Sequence, residues 1–105
     1  MKNEVIEIKE IEDEVNFGPS TGFAKILYSN GARRNGIFDV NWRDSKIKKN
    51  WKVVASACKA SANGTGVIGE DVKVLNVVPT NGQLLMRLYI KGEPTEFRIH
   101  IIIYY

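Results

Sequence analysis

The chain has 105 residues, a formal net charge of +3 at pH 7, 44% hydrophobic and 26% charged residues, which is the size of one domain with a modest core and the composition of a folded protein. No apolar run approaches the roughly 20 residues of a membrane helix, and Met1-Lys2-Asn3-Glu4 lacks a signal-peptide core, so neither membrane insertion nor general secretory export is expected. One cysteine and one histidine exclude an intramolecular disulfide and a cysteine-based zinc site, and they leave no Ser/His/Asp or Cys/His set; no catalysis and no cofactor are expected.

Strand signals dominate in chain order. Val5–Ile11 begins with alternation, Ile6 and Ile8 flanked by Glu7 and Lys9. Asn16 to Gly22, with Gly18, Pro19, Ser20 and Thr21 inside it, reads as a loop. Phe23–Tyr28 is a short predicted strand. Ser29 to Gly36 holds two Asn-Gly pairs, residues that accept positive φ in tight turns. Ile37–Trp42 is a strand with Phe38, Val40 and Trp42 on one face, and Arg43–Asn50 is a basic loop.

Trp51–Ala60 is a strand with small residues. Ser61–Glu70 reads as a glycine-rich loop with a short extended piece at Val67-Ile68. Asp71–Val78 is a strand with Val72, Val74 and Val78 on one face and Leu75 and Val77 on the other. Pro79 to Gly82 is a turn, after which Leu84, Met86, Leu88 and Ile90 alternate with Leu85, Arg87, Tyr89 and Lys91. Lys91–Thr95 leads into Glu96–Tyr105, whose odd positions (Phe97, Ile99, Ile101, Ile103, Tyr105) are all apolar, while the even ones turn apolar only at Ile102 and Tyr104. The last two segments read as a hairpin. A terminal strand needing cover on both faces is expected to be central or to sit against another subunit. About six or seven strands at spacings near 8–12 residues predict an all-β, antiparallel sandwich spanning 1–105 as a single domain; the resemblance given below implies a lectin-like or jelly-roll-like one.

Few motifs carry chemistry. Ala62-Asn63-Gly64-Thr65-Gly66 lacks the Gly-Lys-Ser/Thr and the helix of a phosphate loop and reads as an inter-strand loop. The acidic run Glu10 to Glu14 lacks the spaced pattern and glycine of a calcium loop and reads as a solvated strand end. Cys58, among small residues, reads as a buried thiol, and His100, between isoleucines, as no metal ligand. Trp42 to Trp51 encloses Arg43, Lys46, Lys48 and Lys49, cations between two tryptophans, as a base-stacking, phosphate-contacting surface requires. Each Trp also ends an apolar face, so core aromatics beside a solvated loop compete with that reading. The acidic first fifteen residues and the basic middle suggest intramolecular pairing or contact between copies.

The order Gly22-Phe23-Ala24-Lys25, a turn, Ile37-Phe38-x-Val40-x-Trp42, Val53-Val54-Ala55-Ser56-Ala57, Val72-x-Val74, Thr80-x-Gly82 and two closing strands resembles the C-terminal receptor-binding heads of bacteriophage tail fibres, and also H-type lectins, small six-stranded sandwiches that assemble into trimers and hexamers. The resemblance covers Gly22 to Tyr105. The lectins' sugar-binding Trp-His pair falls here on Ile90 and Lys91, so that site does not carry over. What the resemblance implies is a trimeric recognition domain in a virion, on a phage tail, binding a cell-surface carbohydrate or other receptor; without it the expected location is cytoplasmic. A structural oligomerising virion component and a nucleic-acid-binding β-barrel using Trp42–Trp51 stay open. Recognition sites commonly sit on loops of a rigid scaffold, which directs attention to Asn30–Asn35, Arg43–Asn50 and Lys91–Thr95 at one end of the sandwich. Arg33, Arg34, Trp42 and Lys91 are the candidate ligand-binding residues, because Arg and Trp are enriched at binding hot spots.

Overall fold

Ten β-strands and no helix make up the computed structural model, which describes residues 4–6, 8–10, 14–32, 36–61, 66–67, 71–92 and 95–105. The strands are β1 (Glu4–Ile6), β2 (Lys9–Glu10), β3 (Val15–Gly18), β4 (Gly22–Ala32), β5 (Gly36–Arg43), β6 (Lys52–Ala60), β7 (Gly66–Val67), β8 (Val72–Thr80), β9 (Gln83–Ile90) and β10 (Thr95–Tyr104). One sheet has the order β1-β5-β9-β8; the other has β2-β4-β10-β6-β7, with β3 also on β4. All pairings are antiparallel except β1 with β5. The protein is an all-β sandwich.

The period-2 pattern decides what fills the core. Phe38, Val40 and Trp42 of β5 and Leu84, Met86, Leu88 and Ile90 of β9 are buried from one sheet; Phe23 and Leu27 of β4 and Phe97, Ile99, Ile101 and Ile103 of β10 are buried from the other. β-branched and aromatic side chains suit this pleated, half-buried surface. Small Ala55 and Ala57 occupy the inner face of β6, beside Val53. As expected for a strand with two apolar faces, β10 is central, between β4 and β6.

Several predicted elements fall differently. Gly82–Tyr105 is not a hairpin: β9 and β10 lie in different sheets, and their connection crosses the sandwich. The alternation of β9 and β10 is equally compatible with pairing each other or pairing others, so pattern alone does not choose. The hairpin partner of β9 is β8, joined through Asn81-Gly82, with Gly82 at φ +87°. In β8 a bulge at Leu75 breaks the alternation, since Val74 pairs with Leu88 and Asn76 with Arg87. The extra residue resets the phase: Val77 packs against the core while Leu75 and Val78 are exposed, the reverse of the expected assignment for Val77 and Val78.

The segment expected to be one strand at Val5–Ile11 is split, β1 joining one sheet and β2 the other. Asn16 to Gly22, expected to be a loop, contributes β3, and only Pro19–Thr21 turns. β4 runs on to Ala32, so the first Asn-Gly pair lies within a strand. The glycine-rich loop contains β7 at Gly66–Val67, paired to Lys59 and Ala60.

Candidate functional site

The end of the sandwich where β5 leaves and β4 and β6 begin is built from aromatic residues. Phe23, Trp51 and Tyr105 form a triad: Phe23 and Trp51 meet edge to face at 5.9 Å, Phe23 and Tyr105 at 6.2 Å, Trp51 and Tyr105 at 5.3 Å with a 46° tilt. Such tilted and edge-on arrangements are the favoured ones for aromatic rings. Together with Trp42 they line a cavity of about 220 Å³, whose rim carries Glu14, Asn16, Asp44 and Lys46. The sequence brings these groups together because Phe23 opens β4, Trp42 nears the end of β5, Trp51 precedes β6 and Tyr105 follows β10, four strand ends that the two-sheet topology gathers at one pole.

The loop between β5 and β6 is tied down. Ile47, only 1% exposed, plugs the end of the core. The Asp44 N–H donates to the Gly82 carbonyl at 3.2 Å, the Gly82 N–H to the Ile47 carbonyl at 2.8 Å, and the Lys49 N–H to Asn81 Oδ1 at 3.0 Å, so the loop is laced to the β8–β9 turn. The Ile47 N–H returns to the Asp44 carbonyl and the Trp51 N–H to that of Lys48. On the other side of the cavity the Tyr105 N–H donates to the Thr21 carbonyl. Rim groups are preset by short local bonds: Asp44 Oδ1 accepts from the Lys46 N–H at 2.9 Å and Asn16 Oδ1 from the Gly18 N–H at 2.8 Å. These bonds leave the Asn16 amide N–H₂ and Asp44 Oδ2 as groups that can meet a ligand.

The four sequence candidates separate. Trp42 is 4% exposed, a core residue that forms the inner wall of the cavity. Lys25 stands on the inner face of β4 with its ammonium 5.2 Å from the Trp42 ring centroid, a cation–π distance. Lys91 is exposed, its N–H bonded to the Asp71 carbonyl, and it follows the end of β9 that pairs with Gly36, at the opposite pole from Trp42. The loops Arg43–Asn50 and Lys91–Thr95 therefore do not share an end, because β5 and β9 are antiparallel and fully in register between them. Arg33 and Arg34 lie outside the described residues. The residues that sequence reasoning missed are Asn16, Phe23 and Tyr105; the turn-rich composition around Asn16 hid its strand, and nothing local links the three.

Two outer faces complete the surface. On the β5-β9-β8 sheet, Asp39, Asn41, Asn76, Val78, Leu85 and Arg87 border a shallow hollow of about 330 Å³. Arg87 clamps Asp39 through Nε at 2.7 Å and Nη2 at 3.2 Å, and this carboxylate raises the guanidinium's pKa further. On the other sheet, register places Val15, Ala24, Ile102 and Val54 side by side in one row. Val54 is 61% exposed, and Val15, Ile102, Phe17 and Tyr104 are exposed beside it, the last two stacked at 6.3 Å. Cys58 is a half-buried free thiol on that face, not a buried one. Burial, and then Arg98, lowers the pKa of His100 there.

Among the described residues no group of His, Cys, Asp and Glu could hold a metal ion, and no helix is long and apolar enough to cross a membrane. Comparison with protein-family models, with curated proteins and with solved structures finds no match.

Proposed function

We propose that this chain is a non-catalytic recognition domain that assembles with copies of itself and attaches to a cell-surface glycan, in the manner of the phage tail-fibre heads and H-type lectins it resembles. One observation supports the assembly of copies, and the glycan follows from the resemblance. The outer face of the β4-β10-β6 sheet is apolar toward the end of β10, with Val15, Ile102, Val54, Phe17 and Tyr104 all exposed. Contiguous exposed apolar surface of this kind marks association sites in folded proteins, and here it is carried by a strand paired on both sides. A trimer would bury one such face per copy and present three copies of each sandwich end, multiplying weak glycan contacts by avidity.

The competing nucleic-acid reading needs both tryptophans for base stacking, and Trp42 is buried; Ile47, between the lysines, is buried as well, which leaves the half-buried Trp51 as the one ring of the segment with open surface. The test is sedimentation of the full chain together with a glycan array and a cell-surface binding assay. The expected result is a mass that is a multiple of 11.8 kDa and binding to a defined glycan set. A monomer that binds no glycan and no cells overturns the reading.

A further inference from the structure

The aromatic cavity at the Trp51–Tyr105 pole has the make-up of a saccharide subsite. We propose that it binds a single uncharged pyranose unit, plain or N-acetylated, with the apolar face of the ring against Trp51 and Tyr105 and its hydroxyls on Asn16, Asp44, Glu14 and Lys46. This deepens the proposed function and rests on it.

Four observations converge on that ligand class. The first is size: about 220 Å³ falls below the roughly 300–1,000 Å³ of pockets that hold drug-sized ligands, so the cavity takes one ring and not an extended chain. The second is the pairing of surfaces. A pyranose has an apolar C–H face and a polar hydroxyl rim, and the cavity offers tilted aromatic rings on its wall with carboxylates, an amide and an ammonium on its rim. Tyr105 is 45% exposed and Trp51 half-buried, so both rings have open surface.

The third is charge. Glu14 and Asp44 oppose Lys46 on the rim, and Lys25 stands over Trp42 behind it. Two carboxylates thus stand with two ammoniums, and no surplus of positive charge is set out on the lining for an anionic sugar. The ammonium of Lys25 on the Trp42 ring likewise disfavours a ligand cation, the other occupant that aromatic rings and carboxylates recognise. The fourth is pre-organisation: Asn16 and Asp44 are held by their own turns, and the loop carrying Lys46 is bonded to Gly82 and Asn81. Little ordering remains to be done when ligand binds.

The experiment is a two-dimensional amide and indole NMR titration of the full chain. The probes are the methyl glycosides of glucose, galactose, N-acetylglucosamine and N-acetylgalactosamine, with glucuronic acid, N-acetylneuraminic acid and tetramethylammonium run in parallel. The expected result is saturable shifts from at least one neutral glycoside, centred on the Trp51 indole and the amides of Asn16, Lys46 and Tyr105, with a Kd in the millimolar range. The double variant N16A/K46A alters two exposed rim residues and is expected to keep its melting temperature while weakening that glycoside at least fivefold. Shifts centred instead on Asn41, Asn76 and Arg87, preference for an acidic sugar or for tetramethylammonium, or unchanged affinity in the double variant would each overturn the cavity assignment. If the intact chain binds glycans on an array under any of those outcomes, the recognition reading survives without this site. A blank array together with a titration that moves no resonance removes both.

Discussion

Gly22 lies so close to Ile103 that a Cβ built on the glycine would fall on the Ile103 carbonyl oxygen. The two residues sit where β4 and β10 pair at the aromatic pole, and Gly22 also has φ +151°, a conformation that L side chains rarely adopt. Gly22→Ala must therefore push two central strands apart. It is expected to cost about 3 kcal/mol or more, strain of this kind being one of the few causes of large single-site losses. Gly92, at φ +91° and with no described atom within 4 Å of where a Cβ would stand, provides the comparison: Gly92→Ala should cost only about 1–2 kcal/mol for the left-handed backbone. Denaturant midpoints of the two variants, measured side by side, check the difference, and equal midpoints would contradict the close approach.

Ile101 and Ile102 are neighbours with opposite fates. Ile101 is 1% exposed and Ile102 is 37% exposed. Ile101→Ser is expected to destabilise by about 3–5 kcal/mol, from a lost side chain and a buried hydroxyl. Ile102→Ser should cost the monomer only about 1 kcal/mol, the span of strand propensity for a part-exposed side chain, and is expected to lower the self-association proposed for its face. Thermal melting read against sedimentation separates the two effects.

Removing Tyr104 and Tyr105 is expected to weaken the fold without abolishing it. Each residue is 45% exposed, so each gives up only part of the about 3–5 kcal/mol that truncating a fully packed aromatic costs. Tyr104 loses its stack on Phe17, and Tyr105 its contacts with Phe23 and Trp51 and its bond to Thr21. A loss of about 2–4 kcal/mol is within the 5–15 kcal/mol of a typical domain, so the truncated chain should still melt cooperatively, with a lower Tm and an altered Trp51 emission. An unchanged Tm would mean that the terminal rings carry no packing energy.

The pKa of His100 is lowered from 6.5, first by burial and then by Arg98. The unfolded chain therefore takes up the proton at a pH where the folded chain still resists it. Stability from this residue is complete above about pH 6.5 and declines as pH falls toward and through the lowered folded value. His100→Gln should flatten that part of the stability–pH curve, and Arg98→Met should move the His100 midpoint upward. Both are measured by urea titrations between pH 7.5 and pH 4.5 and by the His100 ring resonance. A midpoint that does not respond to Arg98→Met would contradict the assigned neighbour.

The core was legible where alternation is unbroken. Phe38, Val40 and Trp42, the even residues from Leu84 to Ile90, and the odd residues from Phe97 to Ile103 are buried as their period requires. The two apolar faces of the last strand pointed to a central position, which β10 occupies. Alternation failed where one inserted residue changed the phase, at Leu75. Turn composition misled at Asn16 and Asn30, because Asn and Gly report what the backbone tolerates rather than where a neighbouring strand will capture it.

The candidate cavity was hardly legible at all. Trp42 and Trp51 stand out in the sequence, but Asn16, Phe23 and Tyr105 belong to segments far apart along the chain, and only the closing of the two sheets brings their strand ends together. Side-chain period, a local property of each strand, determined that the protein is a β-sandwich and which residues fill it. Which strand pairs with which is a long-range choice among patterns that look alike, and it was decided in the tertiary structure: β9 with β5 and β8, β10 with β4 and β6, the loops Arg43–Asn50 and Lys91–Thr95 at opposite poles, and the aromatic residues gathered at one of them.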